Sequence, residues 1–516
     1  MSIVSKNGVF RDSAGRDVIL HGVNMVGKDY DNPECYGEED FARVRSWGCN
    51  CVRYGILWNK VEPRPGFFDD AYLEIVRQRL DWAARYGLSV FLDMHQDCFS
   101  YSLEGQNGST AEMDNLEWFA RTDGLDHETP GSVWSDAYLT SPAVKRMNDN
   151  FWWNAAAVDG IGLQDHFIAA WKKVAETLGG HPALVGYNIF NEPNPGSLGE
   201  RAMIPVLMKA AWILLVKKGR LCRSLDEVIQ LWLNEESRQE MTALFNDVRV
   251  FKSILGAAGG VLRRAERKYL QPFYRKVSSE IRKADPDSMV LFEPFTAEFP
   301  GVVSGLKPLR DSGGVSDPNQ AYVPHIYDIV VDTDNEDAFS SGRLESIAGC
   351  HRKNQKRMKC PVLIGEWGAY GETFGNARTA RAHIDIFEKY LWGDTYWNYD
   401  RDTSERGRYF CGIHRAVLLN APGEIRSMKT DHTRNIFSCS WEEDPGVREP
   451  AVIYIPGEPA GNSVRDDWGK EKTPFGVFLT IPGSGTGGLK RFSIRFIRAD
   501  YRKITEPAGI PVQETE

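Results

Sequence analysis

Residues 184–196 read LVGYNIFNEPNPG, a short apolar run that closes on Asn191 and Glu192 and is stopped by Pro193. Its length and the proline that follows predict a buried strand, because proline has no amide hydrogen with which to continue a ladder. A second run of the same form, PVLIGEWGAY at 361–370, carries Glu366 near its end. Two carboxyl groups delivered from strand ends set the frame for reading the rest of the chain.

Six further β-rich runs lie along the sequence: DVILHGVN (17–24), NCVRYGI (50–56), SVFLDMH (89–95), MVLFEP (289–294), AYVPHIY (321–327) and DTYWNY (394–399). Stretches with apolar residues at helical spacing separate them, such as DAYLEIVRQRLDWAARYG (70–87) and LQDHFIAAWKKVAETLG (163–179). This alternation is the βαβ pattern of a parallel sheet with covering helices, and eight such units predict an α/β protein of the (β/α)8 TIM-barrel type over residues 1–411. Chemistry in that fold sits at the C-terminal strand ends, where Arg53, His95, Glu192, His325, Glu366 and Trp397 all fall.

The stretch from Glu192 to the next strand is longer than one helix and two loops require, which predicts an inserted helical region over about 197–283. Its first part, IPVLMKAAWILLV at 204–216, is nearly continuous in apolar residues and is followed by Lys217, Lys218 and Arg220. It is too short to span a bilayer. Two readings stay open: a helix packed on its neighbours, or a face that touches lipid or an amphiphilic substrate. A second long loop, 99–154, carries Trp118, Phe119, Trp134, Trp152 and Trp153, and long loops over a barrel mouth shape the substrate cleft.

Beyond Gly412 the pattern becomes short alternating runs (AVLLNA, NIFSCSW, AVIYIP, GVFLTI, RFSIRFIRA) between glycine- and proline-rich turns, which predicts a C-terminal antiparallel β-sandwich over 412–516. It reads either as a brace on the barrel or as a carbohydrate-binding module.

A net charge of −9 with a pI near 5.7 argues against a nucleic-acid partner. Nine cysteines form no CxxC pair and are odd in number, which fits reduced thiols; Cys49 and Cys51 read as small core residues. The first residues, MSIVSKNGVFRDSAGRDVIL, lack the pattern of a secretory signal. These features predict a cytoplasmic protein, with peripheral membrane contact through 204–216 as an extension of that reading. The sequence leaves the oligomeric state open.

Cleaving a glycosidic bond requires a proton for the leaving oxygen and a stabiliser for the charge that develops at the anomeric carbon. Glu192 and Glu366 supply two carboxyl groups, and the amide of Asn191 can hydrogen-bond the sugar hydroxyl beside the reacting carbon. The histidines show no HExxH-type spacing, so neither a catalytic metal nor a cofactor is expected.

The ordered set Arg53, His95, Asn191-Glu192, His325, Tyr327, Glu366 and Trp397 resembles the functional set of clan A glycosidases, glycoside hydrolase family 5 in particular. The resemblance implies Glu192 as acid/base and Glu366 as nucleophile. It further implies that Arg53 and Tyr327 hold Glu366, that His95 and His325 position sugar hydroxyls, and that Trp397 floors the subsite of the cleaved sugar. Glu293 in LFEPF is placed comparably and reads as a supporting or structural residue.

DMHQD at 93–97, the large loops and the sandwich resemble the endoglycoceramidase-related branch of the family, whose members cut β-glycosides of lipids, including glycosylceramides and steryl glucosides. In that branch His95 and Asp97 would contact the sugar; Asp97 also reads as a loop cap. The resulting expectation is a retaining β-glycosidase acting on a glycolipid, its carboxyl groups about 5–5.5 Å apart. The alternatives are an endo-β-glucanase or mannanase, and a non-catalytic carbohydrate- or lipid-binding protein. Glucose against galactose, ceramide against sterol, and exo against endo cleavage stay open.

Overall fold

The structure, a computed structural model, describes residues 3–27, 35–98, 118–127, 134–311, 313–331, 333, 336–368, 374–401, 410–461 and 464–498. Residues 99–117 and 128–133 of the expected mouth loop lie outside the described residues.

Eight parallel strands form one sheet: β4 (His21–Met25), β5 (Cys51–Ile56), β6 (Ser89–Met94), β7 (Leu184–Asn188), β8 (Met289–Phe292), β9 (Gln320–Tyr322), β10 (Leu363–Gly368) and β11 (Gly393–Trp397). A parallel bridge between Tyr322 and Val362 closes it into the expected (β/α)8 barrel. The sixth run was expected to be a strand through Tyr327, but β9 stops at Tyr322. Pro324 cannot donate to a ladder. The chain nevertheless stays against β10, with Gly365 N–H donating to Pro324 O (3.1 Å) and Ile326 N–H to Glu366 O (2.9 Å).

Side chains alternate along a strand, so residues two apart share a face. At the N-terminal end the barrel interior is apolar: Cys51, Phe91, Val185, Met289, Ala321 and Leu363 pack together with Ile3 and Phe10. Two positions further along β5 and β6 the inward residues are Arg53 and Asp93, and two further again is His95. The core thus changes from hydrocarbon to charge over one strand length. On β10 the pairing register shifts between Ile364 and Trp367, an irregularity located at Glu366.

Ile3 and Phe10 come from a hairpin, β1 (Ile3–Lys6) with β2 (Val9–Asp12), which closes the floor of the barrel. The run DVILHGVN is divided. Its start, β3 (Asp17–Val18), belongs to a seven-stranded antiparallel sheet with β1, β2 and C-terminal strands, and only β4 enters the barrel. The chain passes between them at Ile19, whose N–H donates to Leu419 O (2.9 Å). A local pattern of apolar residues does not record which of two sheets each one joins.

The C-terminal region contributes β12 (Val417–Ala421), β15 (Ala451–Ile455), β17 (Gly469–Lys472) and β18 (Val477–Ile481) to that sheet. Strands β13 (Gly423–Asp431), β14 (Ile436–Glu443), β16 (Gly457–Pro459) and β19 (Gly488–Arg498) form a second antiparallel sheet. Alternate residues of β19, Phe492, Ile494 and Phe496, are buried and pack with Leu418, Phe437 and Ile453 in a shared apolar core, which makes the two sheets a sandwich. It is tied to the barrel floor by Asp394, which opens the barrel's last strand and receives both Arg415 (2.5 Å) and His21 (3.1 Å). That end is opposite the strand ends that carry Glu192 and Glu366.

The insertion consists of helices Ser197–Lys218, Leu225–Leu233, Glu235–Phe245, Val248–Leu255 and Gly259–Ala265. Ser224, Asn234 and Asp247 cap three of them by accepting hydrogen bonds from backbone amides. The next helix, Gln271–Ala284, packs on the barrel helix Leu163–Leu178 and is itself a covering helix of the barrel. No disulfide joins any of the nine cysteines, and Cys49 and Cys51 are buried in apolar cores.

Candidate active site

Arg53, fully buried on β5, organises the strand ends. Its Nη1 donates to Glu366 Oε1 (2.6 Å) and Asn24 Oδ1 (2.9 Å), its Nη2 to Asn191 Oδ1 (2.7 Å) and Glu293 Oε1 (3.1 Å), and its Nε to Asn188 Oδ1 (3.2 Å). Asp93 lies 2.8 Å from Nη2. One guanidinium thus faces three carboxylates, whose attraction outweighs the cost of burying the cation and keeps Arg53 charged.

Glu366 accepts a second hydrogen bond at Oε2 from the Tyr327 hydroxyl (3.1 Å). Glu192 has a φ of +42°, a left-handed conformation uncommon for a non-glycine residue. Its N–H donates to Glu293 Oε2 (2.9 Å), which fixes that turn. Glu192 Oε1 meets His325 Nδ1 at 2.7 Å. Burial is the main influence on the Glu192 carboxyl; with the nearby charges of Glu366 and Asp97 it outweighs the bond to His325 and pushes the pKa up to about 7.

His325 therefore has a partner other than a sugar hydroxyl. Its Nε2 lies 3.5 Å from Glu293 and its Nδ1 3.4 Å from Glu366. Burial alone would lower its pKa, but these carboxylates and the bond to Glu192 raise it to about 10, so the ring is charged at neutral pH. Glu293 shifts the other way. Burial opposes its ionisation, yet His325 and Arg53 hold its pKa below the usual glutamate value.

Donor atoms of Glu192, His325 and Glu366 all lie within 4.8 Å of one another. Each is already engaged, Glu366 by Arg53 and Tyr327 and His325 by Glu192, and a charged imidazolium does not ligate a metal. The set fits a hydrogen-bonded acid pair.

Each of the polar residues in DMHQD has a distinct contact. Asp93 accepts from His95 Nδ1 (2.8 Å) as well as binding Arg53, and Asp97 lies 3.3 Å from His95 Nε2. Burial disfavours the charged ring of His95, but the two aspartates outweigh it and raise its pKa to about 9. The ring stacks on Trp397, centroids 5.0 Å apart and planes 9° apart. Gln96 Nε2 donates to the carbonyls of Asn191 (2.7 Å) and Glu192 (3.0 Å), which holds the acid-bearing segment against β6. Asn191 Nδ2 donates to Gln96 O (2.9 Å); a primary amide has a second N–H beyond that one.

A cavity of about 480 Å³ begins at Glu192, Glu366, Tyr327 and Trp397 and continues into the insertion. Its walls are Met203, Val206, Leu207 and Ala210 of helix Ser197–Lys218, Val228 and Trp232 of Leu225–Leu233, Met241 and Phe245 of Glu235–Phe245, and Phe251 and Ile254 of Val248–Leu255, faced by Phe299 and Val302. Asp97, Tyr138, Asn194 and Thr296 line it as well. All nine sequence-selected residues thus lie at one end of the barrel. The sequence reading had not assigned roles to Asp93, Asn24, Asn188 and Gln96; Asp93 could have been found from its parity, two residues before His95 on the same strand face.

A closed (β/α)8 barrel with paired carboxyl groups at its strand ends, one held by arginine and tyrosine, is the architecture of a glycoside hydrolase. The Cellulase (glycosyl hydrolase family 5) model matches residues 11–403, and the chain belongs to that family. It is 27% identical over 230 residues to an endoglycoceramidase of Hydra vulgaris, covering 38% of this chain and 41% of the relative. It is 29% identical over 252 residues to a glucosylceramidase of Aspergillus fumigatus, covering 37% of this chain and 32% of the relative. The chain thus spans about two fifths or less of the length of these relatives. Among solved structures its fold is similar to endo-glycoceramidase II from Rhodococcus sp. in complex with ganglioside GM3, with a TM-score of 0.70 and 22% identity, covering 95% of this chain and all of the other.

Proposed function

We propose that this protein is a retaining β-glycosidase that hydrolyses the sugar–lipid bond of a glycolipid by double displacement. The observation that carries the reading is the continuity of the carboxylate pair with a cavity walled by apolar side chains of the insertion. Hydrocarbon gains by leaving water for such a channel. A polysaccharide would meet no sugar-binding polar groups along those helices, which weighs against a glucanase or mannanase.

Glu366, held by hydrogen bonds from Arg53 and Tyr327, attacks the anomeric carbon while Glu192 protonates the lipid oxygen. Oxygens within 4.8 Å fit a retaining pair, with no room for the water an inverting enzyme holds between them. Once Glu366 becomes a glycosyl ester its charge is gone, and with it one influence that raises the Glu192 pKa. Glu192 then ionises more readily and takes the proton of the attacking water. We assign His325 and Glu293 to orienting Glu192, His95 and Asp97 to sugar hydroxyls, Trp397 to the floor beneath the cleaved sugar, and the second amide N–H of Asn191 to the hydroxyl beside the reacting carbon.

The helix Ser197–Lys218 lines the cavity with one face and exposes Ile204, Met208, Trp212, Leu215 and Val216 on the other, with Lys209 over the Trp212 ring and Lys217 and Lys218 at its end. We infer that this outward face rests on lipid, so that substrate passes from a membrane into the channel. Among the described residues no helix is long and apolar enough to cross a membrane. Thiols packed as core residues, Cys49 and Cys51 among them, suit a reducing compartment, and the cytoplasm is the location we propose.

Thin-layer chromatography of products from glucosylceramide, galactosylceramide, lactosylceramide, steryl glucoside and cellopentaose tests the reading, with Glu366→Gln as control. Sugar released from a lipid glycoside by wild type alone supports it. Turnover of cellopentaose alone refutes the lipid assignment.

A further inference from the structure

The wall of the channel that would take the lipid includes a carboxylate that does not belong in a purely hydrocarbon site. Asp136, in the helical turn Trp134–Asp136, lines the cavity, is 4% exposed, and has an Oδ2 sealed from solvent without a hydrogen-bond partner among the described residues. A buried acceptor without a donor costs stability, and in native proteins such groups are few and call for an explanation. Among the described residues its neighbours offer no internal hydrogen-bond donor to that oxygen. Arg238, on the facing insertion helix, attracts the carboxylate electrostatically but donates from Nε to Trp232 O (2.7 Å) and from Nη2 to Leu233 O (3.1 Å). Burial pushes the Asp136 pKa up to about 6 against the pull of Arg238.

Its segment lies near Glu192, the residue assigned to protonate the leaving group. Tyr138, two residues on and also in the cavity wall, accepts from Cys98 N–H (2.9 Å) and is close enough to Glu192 and Asp97 to feel their charges. The part of an aglycone just beyond the scissile oxygen therefore passes this segment before it reaches the hydrocarbon walls.

We propose that Asp136 recognises the aglycone by accepting a hydrogen bond from an N–H or O–H near the glycosidic oxygen, so that the site prefers an amide- and hydroxyl-bearing lipid of the ceramide type. A sterol, once glycosylated, has no such donor and would leave the carboxylate unpaired in the filled channel. The inference rests on the glycolipid reading above and narrows it to one aglycone class.

The test compares kcat/KM for glucosylceramide with kcat/KM for a steryl β-glucoside, because damage to the fold or the catalytic pair lowers both while loss of recognition changes their ratio. Wild type should favour glucosylceramide. In Asp136→Leu the ratio should fall by about tenfold, the order expected for one hydrogen bond to a buried charged acceptor. Asp136→Asn, whose amide oxygen still accepts, should keep the ratio within about threefold of wild type. On the native protein, a glucosylceramide methylated at the amide nitrogen and the 3-hydroxyl should lose about tenfold and make no further loss in Asp136→Leu. An unchanged ratio in Asp136→Leu, an undiminished rate on the methylated substrate, or a wild-type preference for steryl glucoside overturns the proposal and leaves the glycolipid reading standing. Turnover of no lipid glycoside by wild type overturns both.

Discussion

If the cavity receives a lipid tail, turnover depends on tail length in a way that can be calculated. Each methylene moved from water to an apolar wall contributes ~0.8 kcal/mol, roughly fourfold in kcat/KM. A volume of about 480 Å³ has room for at least about sixteen methylene-sized groups of ~30 Å³, so alkyl β-glucosides from butyl to dodecyl should improve without a plateau. From butyl to octyl the ceiling is ~3 kcal/mol, roughly 200-fold, and ordering the tail reduces the expected gain to about 10- to 100-fold. The perturbation is Ala210→Trp. Ala210 is 3% exposed, lies midway along the helix Ser197–Lys218 and lines the cavity, so an indole there enters the channel instead of overfilling a packed core. The octyl-to-butyl ratio should drop below about fivefold. The assay is sugar release at glycoside concentrations below micelle formation. A flat wild-type series, or a variant with the wild-type slope, would refute the assignment of the cavity to the tail.

Other consequences are independent of the tail. Glu192 acts as the acid only when protonated, and its carboxyl is pushed up to about 7, so the protonated form and log kcat/KM should both decline as pH rises above about 7. The charge of His325 and its bond hold the Glu192 pKa down against burial, so His325→Gln should move this basic limb to higher pH; a limb that stays or moves down contradicts the assignment. Arg53→Met leaves Asp93, Glu293 and Glu366 buried without their cation, which should cost ~3–5 kcal/mol of stability and nearly all activity. The cost should shrink at acid pH as Asp93 and Glu293 protonate, readable as a smaller gap in thermal midpoint between variant and wild type. Trp212→Asp with Leu215→Asp should reduce co-sedimentation with phospholipid vesicles, since both side chains are on the exposed face of the helix; unchanged binding would remove that face from the account.

The sequence exposed much of this because a barrel writes its active site at the ends of its strands. Glu192, Glu366, Arg53 and His95 each close or interrupt a short apolar run, and a charged group there stands out against the hydrocarbon before it. Residues that support them were harder to see. Asp93 lies inside a strand pattern, and only its shared parity with His95 marks it as inward-facing. The passage of the chain at Ile19 from one sheet to another depends on pairing with strands beyond residue 416, which no local window contains. The cavity was hidden for a further reason. Val206, Leu207 and Ala210 have the same spacing whether they face a packed core or an empty channel, so an apolar helix face announces burial without saying what lies opposite. Asp136 sits in a helical turn where aspartate is ordinary, and only the unpartnered Oδ2 distinguishes it.

The measurement that bears most directly on the central claim is proton NMR of the sugar first released from a lipid β-glycoside, recorded before mutarotation. The carboxylate pair, with oxygens within 4.8 Å, predicts the β-anomer as the initial product through a glycosyl ester on Glu366. An α-anomer first would mean inversion by a water held between the two carboxyl groups, and release of no sugar from any lipid glycoside would contradict the account altogether.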